Sequence, residues 1–383
     1  MDPLVLNLRH LRAVAVTARL GSVSAAAHRV ALSQPALTQA IAGIELALGL
    51  PLFERRSDGM VATPAADLLV PRIEAALAHI ASPRVTATQL RAFVTLADAG
   101  SYAGASAASG LAQPSLHRAV GDLSIALRRS LVVRSGRGIV LTEAGRRTAR
   151  AFRLARAELA AGLSEVRALR GLETGRITIG AMPLARARLL PAAVARFTLA
   201  HPEATVAIVE GSHAELIEPL RDGVLDLLIG ALRDPPEPDL LQRALFEDRP
   251  VVIGRAGHPL AGTVPTTADV ARFPWIVAAP STPLHAQWAG LFDAARIPRP
   301  PAPIECGSVL TIRQILRASD FLTLLSPDQV ALEIDSGVLA VIGQAPESVR
   351  RTIGITTRDD WRPTALQAAF RDLLIDAAIP ENL

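Results

Sequence analysis

The hexapeptides "LSQPAL" (32–37) and "LAQPSL" (111–116) stand seventy-nine residues apart and share Leu, Gln, Pro and Leu at matching places. A Gln-Pro pair recurring by chance would leave its surroundings unrelated. Here the likeness spreads outward: residues 11–66 overlie 90–145 without a gap, and 20 of the 56 positions are identical. Among them are Leu11/Leu90, Gly21/Gly100, Gln34/Gln113, Pro35/Pro114, Leu52/Leu131, Arg55/Arg134 and Gly59/Gly138. Ungapped self-similarity of this length marks a tandem copy of one folding unit.

The unit can be read from its stop and start signals. "LRHLRAVAVTARLG" has apolar residues at helical spacing and ends on a glycine, a C-terminal stop. "SVSAAAHRVA" is a short helix with a small-residue face. Ser33 can cap the next helix, with Pro35 in its first turn, where a missing N–H costs nothing. Short helix, tight turn and a second helix with a polar first turn make a helix-turn-helix. "RRSDGMVAT" and "RSGRGIVLT" then place a glycine-containing turn between short apolar runs, a hairpin wing.

With "LRAVAVTARLGSVSAAAHRVALSQPALTQAIAGIELALGLPLFERR" and "LRAFVTLADAGSYAGASAASGLAQPSLHRAV…RSGRGIVLTEAG", both copies resemble the winged helix-turn-helix of LysR-type transcriptional regulators. That family normally carries one such domain, so the tandem copy departs from it. The resemblance implies duplex DNA as a partner. In copy one it is contacted through Ser33, Gln34, Pro35, Thr38, Gln39, Arg55 and Arg56. In copy two the contacts come from Gln113, Pro114, Ser115, His117, Arg118, Arg134 and Arg137.

Charge supports this. The net charge of +4 conceals 21 arginines against 11 acids in residues 1–170, and 19 against 25 in 171–383. A front half at +10 on a back half at −6 is the footprint of a nucleic-acid-binding module joined to something else. Lysine is absent, so arginine supplies the fixed positive charge throughout, as a GC-rich coding bias would give. The lone Cys306 excludes an internal disulfide and fits a reducing compartment. No apolar run reaches a membrane span, and Arg9 and Arg12 interrupt the start where a secretory signal needs an apolar core. These features predict a cytoplasmic protein with no membrane partner. The eight histidines lack metal-ligand spacing, and there is no G-x-S-x-G, P-loop or dinucleotide turn. No catalytic residue, metal or cofactor is therefore expected.

Between the copies, "LLVPRIEAALAHIASPRVTAT" is an amphipathic piece expected to break at Pro71 and close at Pro83. After copy two, residues 143–175 lack proline and carry an apolar stripe that includes Leu159, Leu163 and Val166. In the family this linker helix pairs with its partner subunit, which assigns those three residues to dimerisation and predicts a homodimer or homotetramer.

From 176 the texture changes. "RITIGA", "TVAIVEG" and "VLDLLIGA" are strands separated by helical stretches, an alternation that calls for a parallel sheet with crossover helices. "PWIVAAP", "FLTLLSP", "GVLAVIG" and "RTIGITTR" add further strands. The resemblance implies the family's effector domain, two lobes joined by two crossing segments, of the type-2 periplasmic-binding-protein kind. The expected fold class is α+β multidomain: winged copies at 1–66 and 88–145, an interrupted linker at 67–87, a linker helix at 146–172, and an α/β effector domain at 173–383. Its first lobe covers about 176–252 and 353–383, its second about 253–349. A ligand in such sheets sits at strand C-terminal ends, among loops and helix N-termini. The positions that match the family's effector cleft are Met182, Pro183, Ser212, His213, Ser281, Thr282, Ser308 and Val309, which as a set suit a polar or anionic small molecule, although each Ser could equally be an ordinary helix cap. The wording of "AIVEGSH" resembles the branch with galactose-responsive and protocatechuate-pathway regulators, which points to a sugar or an aromatic or other organic acid. Two alternatives stay open: a transport-type solute-binding protein, and an interaction protein whose winged domains no longer bind DNA.

Overall fold

In the computed structural model, which describes residues 6–57, 59–136, 138–172, 174–346 and 349–379, the repeat in sequence becomes a repeat in structure. Copy one runs α1 (Leu8–Leu20), α2 (Val23–Arg29), α3 (Gln34–Leu48), β1 (Phe53–Arg56), β2 (Gly59–Ala62) and α4 (Pro64–Ile80). Copy two runs α5 (Ala87–Ala99), α6 (Tyr102–Ser109), α7 (Gln113–Leu127), β3 (Val132–Ser135), β4 (Gly138–Leu141) and α8 (Glu143–Ala168). Even hairpin register is copied: Phe53 pairs with Ala62 as Val132 pairs with Leu141.

The shared glycines have a physical reason. Gly21 and Gly100 close α1 and α5 at φ of +59° and +64°, a backbone state that side chains disfavour. The freed Gly21 carbonyl then accepts the Met60 N–H at 2.8 Å, so the wing docks against the end of α1. A Cβ at Gly59 would sit 2.4 Å from that same oxygen. Gly100 receives Ile139 N–H in the same way at 3.4 Å.

Two expectations fail between the copies. The break at Pro71 does not occur: α4 is continuous from Pro64 to Ile80 and carries Pro71 in its interior. An interior proline costs about 3 kcal/mol. Leu69, Ile73, Ala76 and Ile80, all buried on one face of α4, more than offset it at about 1.5–3 kcal/mol for each large side chain. The surface that buries them is α8, and this overturns the dimerisation assignment. Leu159, Leu163 and Val166 are 1 %, 3 % and 0 % exposed within this single chain, in one core that runs from Leu6 to Val166 and unites both copies. With α4 already against them, they have no surface left for a second chain.

α4 and α8 run in opposite directions. α8 leaves the wing of copy two at Glu143 and finishes against copy one, where Arg170 Nη1 donates to the carbonyl of Leu48 at 3.3 Å. Gly162 lets the helices approach, since a Cβ there would lie 2.9 Å from the Cβ of Arg72. Arg72 itself is buried in the seam. Its guanidinium donates to Glu165 at 2.6 and 3.1 Å, to Glu158 at 3.2 Å and to the carbonyl of Arg362 at 2.9 Å. Burial works against its charge, but the hydrogen bonds and charges of Glu165 and Glu158 outweigh burial and raise its pKa.

The back half forms two five-stranded sheets. The first, ordered β6-β5-β7-β14-β8, comes from β5 (Arg176–Ala181), α9 (Leu189–Ala200), β6 (Thr205–Glu210), α10 (His213–Arg221), β7 (Leu227–Ala231), β8 (Leu240–Asp248) and, late in the chain, β14 (Arg351–Arg358). The second, ordered β11-β10-β12-β9-β13, uses β9 (Val251–Arg255), α11 (Thr267–Val270), β10 (Trp275–Val277), α12 (Pro283–Ala295), β11 (Ile304–Glu305), α13 (Val309–Arg317), β12 (Leu322–Leu325), α14 (Ala331–Asp335) and β13 (Leu339–Gln344). α15 (Ala365–Ala377) packs on the first. The sheets are mixed rather than all parallel. β14 is antiparallel to β7 and β8, and β9 to β12 and β13, because the strands flanking each crossing re-enter from the neighbouring sheet. At the crossing Arg351 Nε donates to Asp248, itself 5 % exposed, at 2.7 Å.

Candidate functional site

α3 is better built than its counterpart α7. Ser33 stands outside it with extended backbone, and its Oγ accepts the N–H of Ala36 at 3.3 Å. Leu37, Ile41 and Ile44 anchor the inner face, which turns Gln34, Pro35, Thr38, Gln39 and Ala42 outward around an open hollow of about 490 Å³. The Thr38 hydroxyl is turned back on the carbonyl of Gln34, leaving Gln34 and Gln39 as the side chains with unspent amides on that face. Glu45 holds the helix to its wing, accepting the N–H groups of Leu52 and Phe53 at 2.7 and 3.3 Å. Arg55 and Arg56 are exposed on β1, Arg56 within 3.2 Å of Glu54.

Copy two presents the equivalent face with different chemistry. α7 has no side-chain cap at Ala112, and Ser124, in the place of Glu45, spends its hydroxyl on the carbonyl of Val120. Gln113, Pro114, Ser115, His117 and Arg118 are exposed on α7, and Arg134 on β3, while Arg137 lies outside the described residues. His117 stacks on Tyr102 of α6, with centroids 3.5 Å apart and planes 18° from parallel. Burial raises the Tyr102 pKa against the opposing charge of Arg134. Sequence reading passed over Tyr102. Its signal was that the chain's single tyrosine replaces Val23 of copy one.

At the junction between the copies a cleft of about 700 Å³ is lined by Arg9, Arg12 and Arg91 with Asn7 and Thr86, the caps of α1 and α5. It adds cationic surface where the two units meet.

In the back half the parallel strands β5, β6 and β7 end together, bringing Met182, Pro183, Ser212 and His213 to one edge of their sheet. β10, β11 and β12 do the same for Ser281, Thr282, Ser308 and Val309. Arg188, beyond β5, reaches Asp328, beyond β12, at 3.1 Å, so the two edges face each other. The eight positions differ in what they have left to offer. Ser212, Thr282 and Ser308 cap α10, α12 and α13. Met182 packs over Gly230, and Ser281 is exposed. Burial, aided by Arg233 and Arg221 and opposed by Glu237, lowers the His213 pKa and keeps its imidazole neutral at pH 7. The cavities of about 700, 490 and 110 Å³ are not lined by these eight residues.

Ion pairs bind the two halves. Asp222, after α10, accepts from Arg150 at 2.9 Å and from Arg153 at 2.6 Å, and Arg153 also holds Asp98 of α5 at 2.5 Å. The equivalent pair in copy one is Arg19 with Glu74, at 2.6 Å, so the charges are reversed between copies.

Comparison with known proteins matches two domain families. The profile described as "Bacterial regulatory helix-turn-helix protein, lysR family" fits residues 8–67 and again 87–146. "LysR substrate binding domain" fits residues 170–378. The HTH-type transcriptional regulator GalR of Pseudomonas putida is 33% identical over 390 residues, covering 97% of this chain and 98% of its own. The HTH-type transcriptional regulator PcaQ of Agrobacterium fabrum is 27% identical and covers 77% of this chain but 96% of its own. Among solved structures, full-length LysG of Corynebacterium glutamicum with bound effector Arg has a TM-score of 0.55 at 20% identity, covering 76% of this chain and 97% of that one. No helix among the described residues is long and apolar enough to cross a membrane.

Proposed function

Because the chain belongs to the LysR family and is a transcriptional regulator with an effector-binding domain, we propose that it reads DNA through α3, α7 and the two wings, and answers to a polar or anionic small molecule held between the sheets. Gln34 and Gln39 supply base-edge hydrogen bonds from copy one, Gln113, His117 and Arg118 from copy two, and Arg55, Arg56 and Arg134 supply phosphate contacts. The carrying observation for the effector is the facing of the two strand edges across Arg188–Asp328, with three helix N-termini and His213 at the rim. Sugars and aromatic or other organic acids are the ligand classes that such a rim suits. The protein acts in the cytoplasm.

Association between chains then falls to the back half, where Leu199 of α9, Ile208 and Val209 of the edge strand β6, and Leu310 of α13 are exposed.

The test is retardation of upstream DNA by the full-length protein, with effector classes titrated in. Binding should fall steeply as salt rises, as arginine–phosphate contact demands. Ser281→Ala should raise the effector concentration needed several-fold and leave effector-free DNA binding intact. DNA binding indifferent to salt would refute the reading mode, and an unchanged dose response would remove Ser281 from the cleft.

A further inference from the structure

We infer that one chain reads both arms of its DNA site, and that the two arms differ in sequence. The inference rests on the DNA-reading role proposed above and goes beyond it in stoichiometry and in the symmetry of the site.

Three observations carry it. First, the helix pair that holds two winged units together is internal to the chain. α4 and α8 pack antiparallel through Gly162 and the buried Arg72, and both copies share one core. Equivalent helices packed antiparallel relate their units by a local two-fold. That places α3 and α7 at equal height on either side of the axis, where two reading helices can enter successive grooves of one duplex. Second, both reading faces are open: Gln34, Gln39 and Thr38 on one, Gln113, His117 and Arg118 on the other. Third, the faces are chemically unlike. Thr38 and Gln39 of α3 stand where α7 has His117 and Arg118, and only copy two carries the Tyr102–His117 stack. A site with two-fold sequence symmetry would mismatch one of them. The effector half adds to the asymmetry, because it holds Arg150 and Arg153 of α8 through the carboxylate of Asp222 but α4 through Arg362, with Pro71 and Glu74 at the equivalent places.

The partner implied is a duplex with two dissimilar half-sites. Full-length protein is used to select from a random duplex library, and the enriched sites are mapped by hydroxyl-radical footprinting with the wild type, Gln39→Ala and Arg118→Ala. Both substituted side chains are exposed, and circular dichroism confirms that the fold is kept. The wild type should enrich a two-armed, non-palindromic site. Gln39→Ala should lose roughly tenfold or more of its base preference in one arm only, and Arg118→Ala in the other only. A palindromic site overturns the inference. So does loss of both arms to Gln39→Ala with Arg118→Ala silent, since two chains would then be reading through copy one alone. A library from which nothing is enriched sinks the DNA-reading assignment itself, and this inference with it.

Discussion

At the scale of single residues, the chain is governed by a few buried charges that composition does not reveal. Asp226 accepts the N–H of Thr178 at 2.7 Å and the amide of Gln367 at 2.9 Å, yet burial pushes its pKa up to about 6 from an ordinary 3.8. A carboxyl whose folded pKa is raised binds its proton more tightly folded than unfolded. Its contribution is therefore present below about pH 4 and is lost as pH climbs towards 6. Thermal midpoints followed from pH 4 to 7 should fall over that interval in the wild type and fall less in Asp226→Asn. Equal slopes would show that another group governs the titration. Arg72 is a second such charge. Its partners Glu158 and Glu165 lie more than eighty residues away along the chain. No local pattern announces so distant a pairing.

Elements were legible where their signals are local. Ser33, Pro35 and Gly49 bracket α3 as capping chemistry requires, and the winged units follow from such marks alone. Legibility ended where tertiary packing competes with a local rule. Pro71 reads as a break, but the neighbour that overrules it is a helix some ninety residues downstream. α4 also covers the stripe at Leu159, Leu163 and Val166: periodicity reports that a face is buried and is silent about what buries it. The candidate effector residues show the converse. Their places come from the family resemblance, and capping, the ordinary role of a Ser or Thr at a helix start, engages Ser212, Thr282 and Ser308. The tightness of the α4–α8 seam gives a direct test. Gly162→Leu forces a side chain into the space held by Leu69 and Arg72, and should cost about 1–3 kcal/mol in denaturant unfolding. The same change at Gly121, inside α7 where a Cβ meets nothing within 4 Å, should cost nothing and gain up to about 1 kcal/mol of helix propensity. Equal losses at the two sites would mean that the seam is looser than described.

For the whole molecule, internal pairing of the winged units separates DNA reading from self-association. Leu199→Arg combined with Ile208→Arg, both on exposed apolar positions of the back half, should yield monomers in sedimentation that keep both winged units folded and still protect a full two-armed site. Loss of site protection in such monomers would return the pairing of reading helices to a contact between chains. The ion pairs around Asp222 matter at this scale too, because with the Arg72–Arg362 contact they fasten the back half to the winged units.

The shared core of the two copies also has a bearing on how such a regulator lives among its relatives. Pairs assembled from separate subunits dissolve on dilution and can exchange members with any paralogue whose seam fits. A pair welded into one polypeptide does neither: its halves meet at an effective concentration set by the chain, whatever the number of molecules in the cell. Scarcity costs it no pairing, and no foreign half can be substituted. Each half is also free to drift on its own, since a change in α3 is not automatically repeated in α7. The duplication thus insulates the reader from mixed assemblies while allowing its two arms to be tuned one at a time.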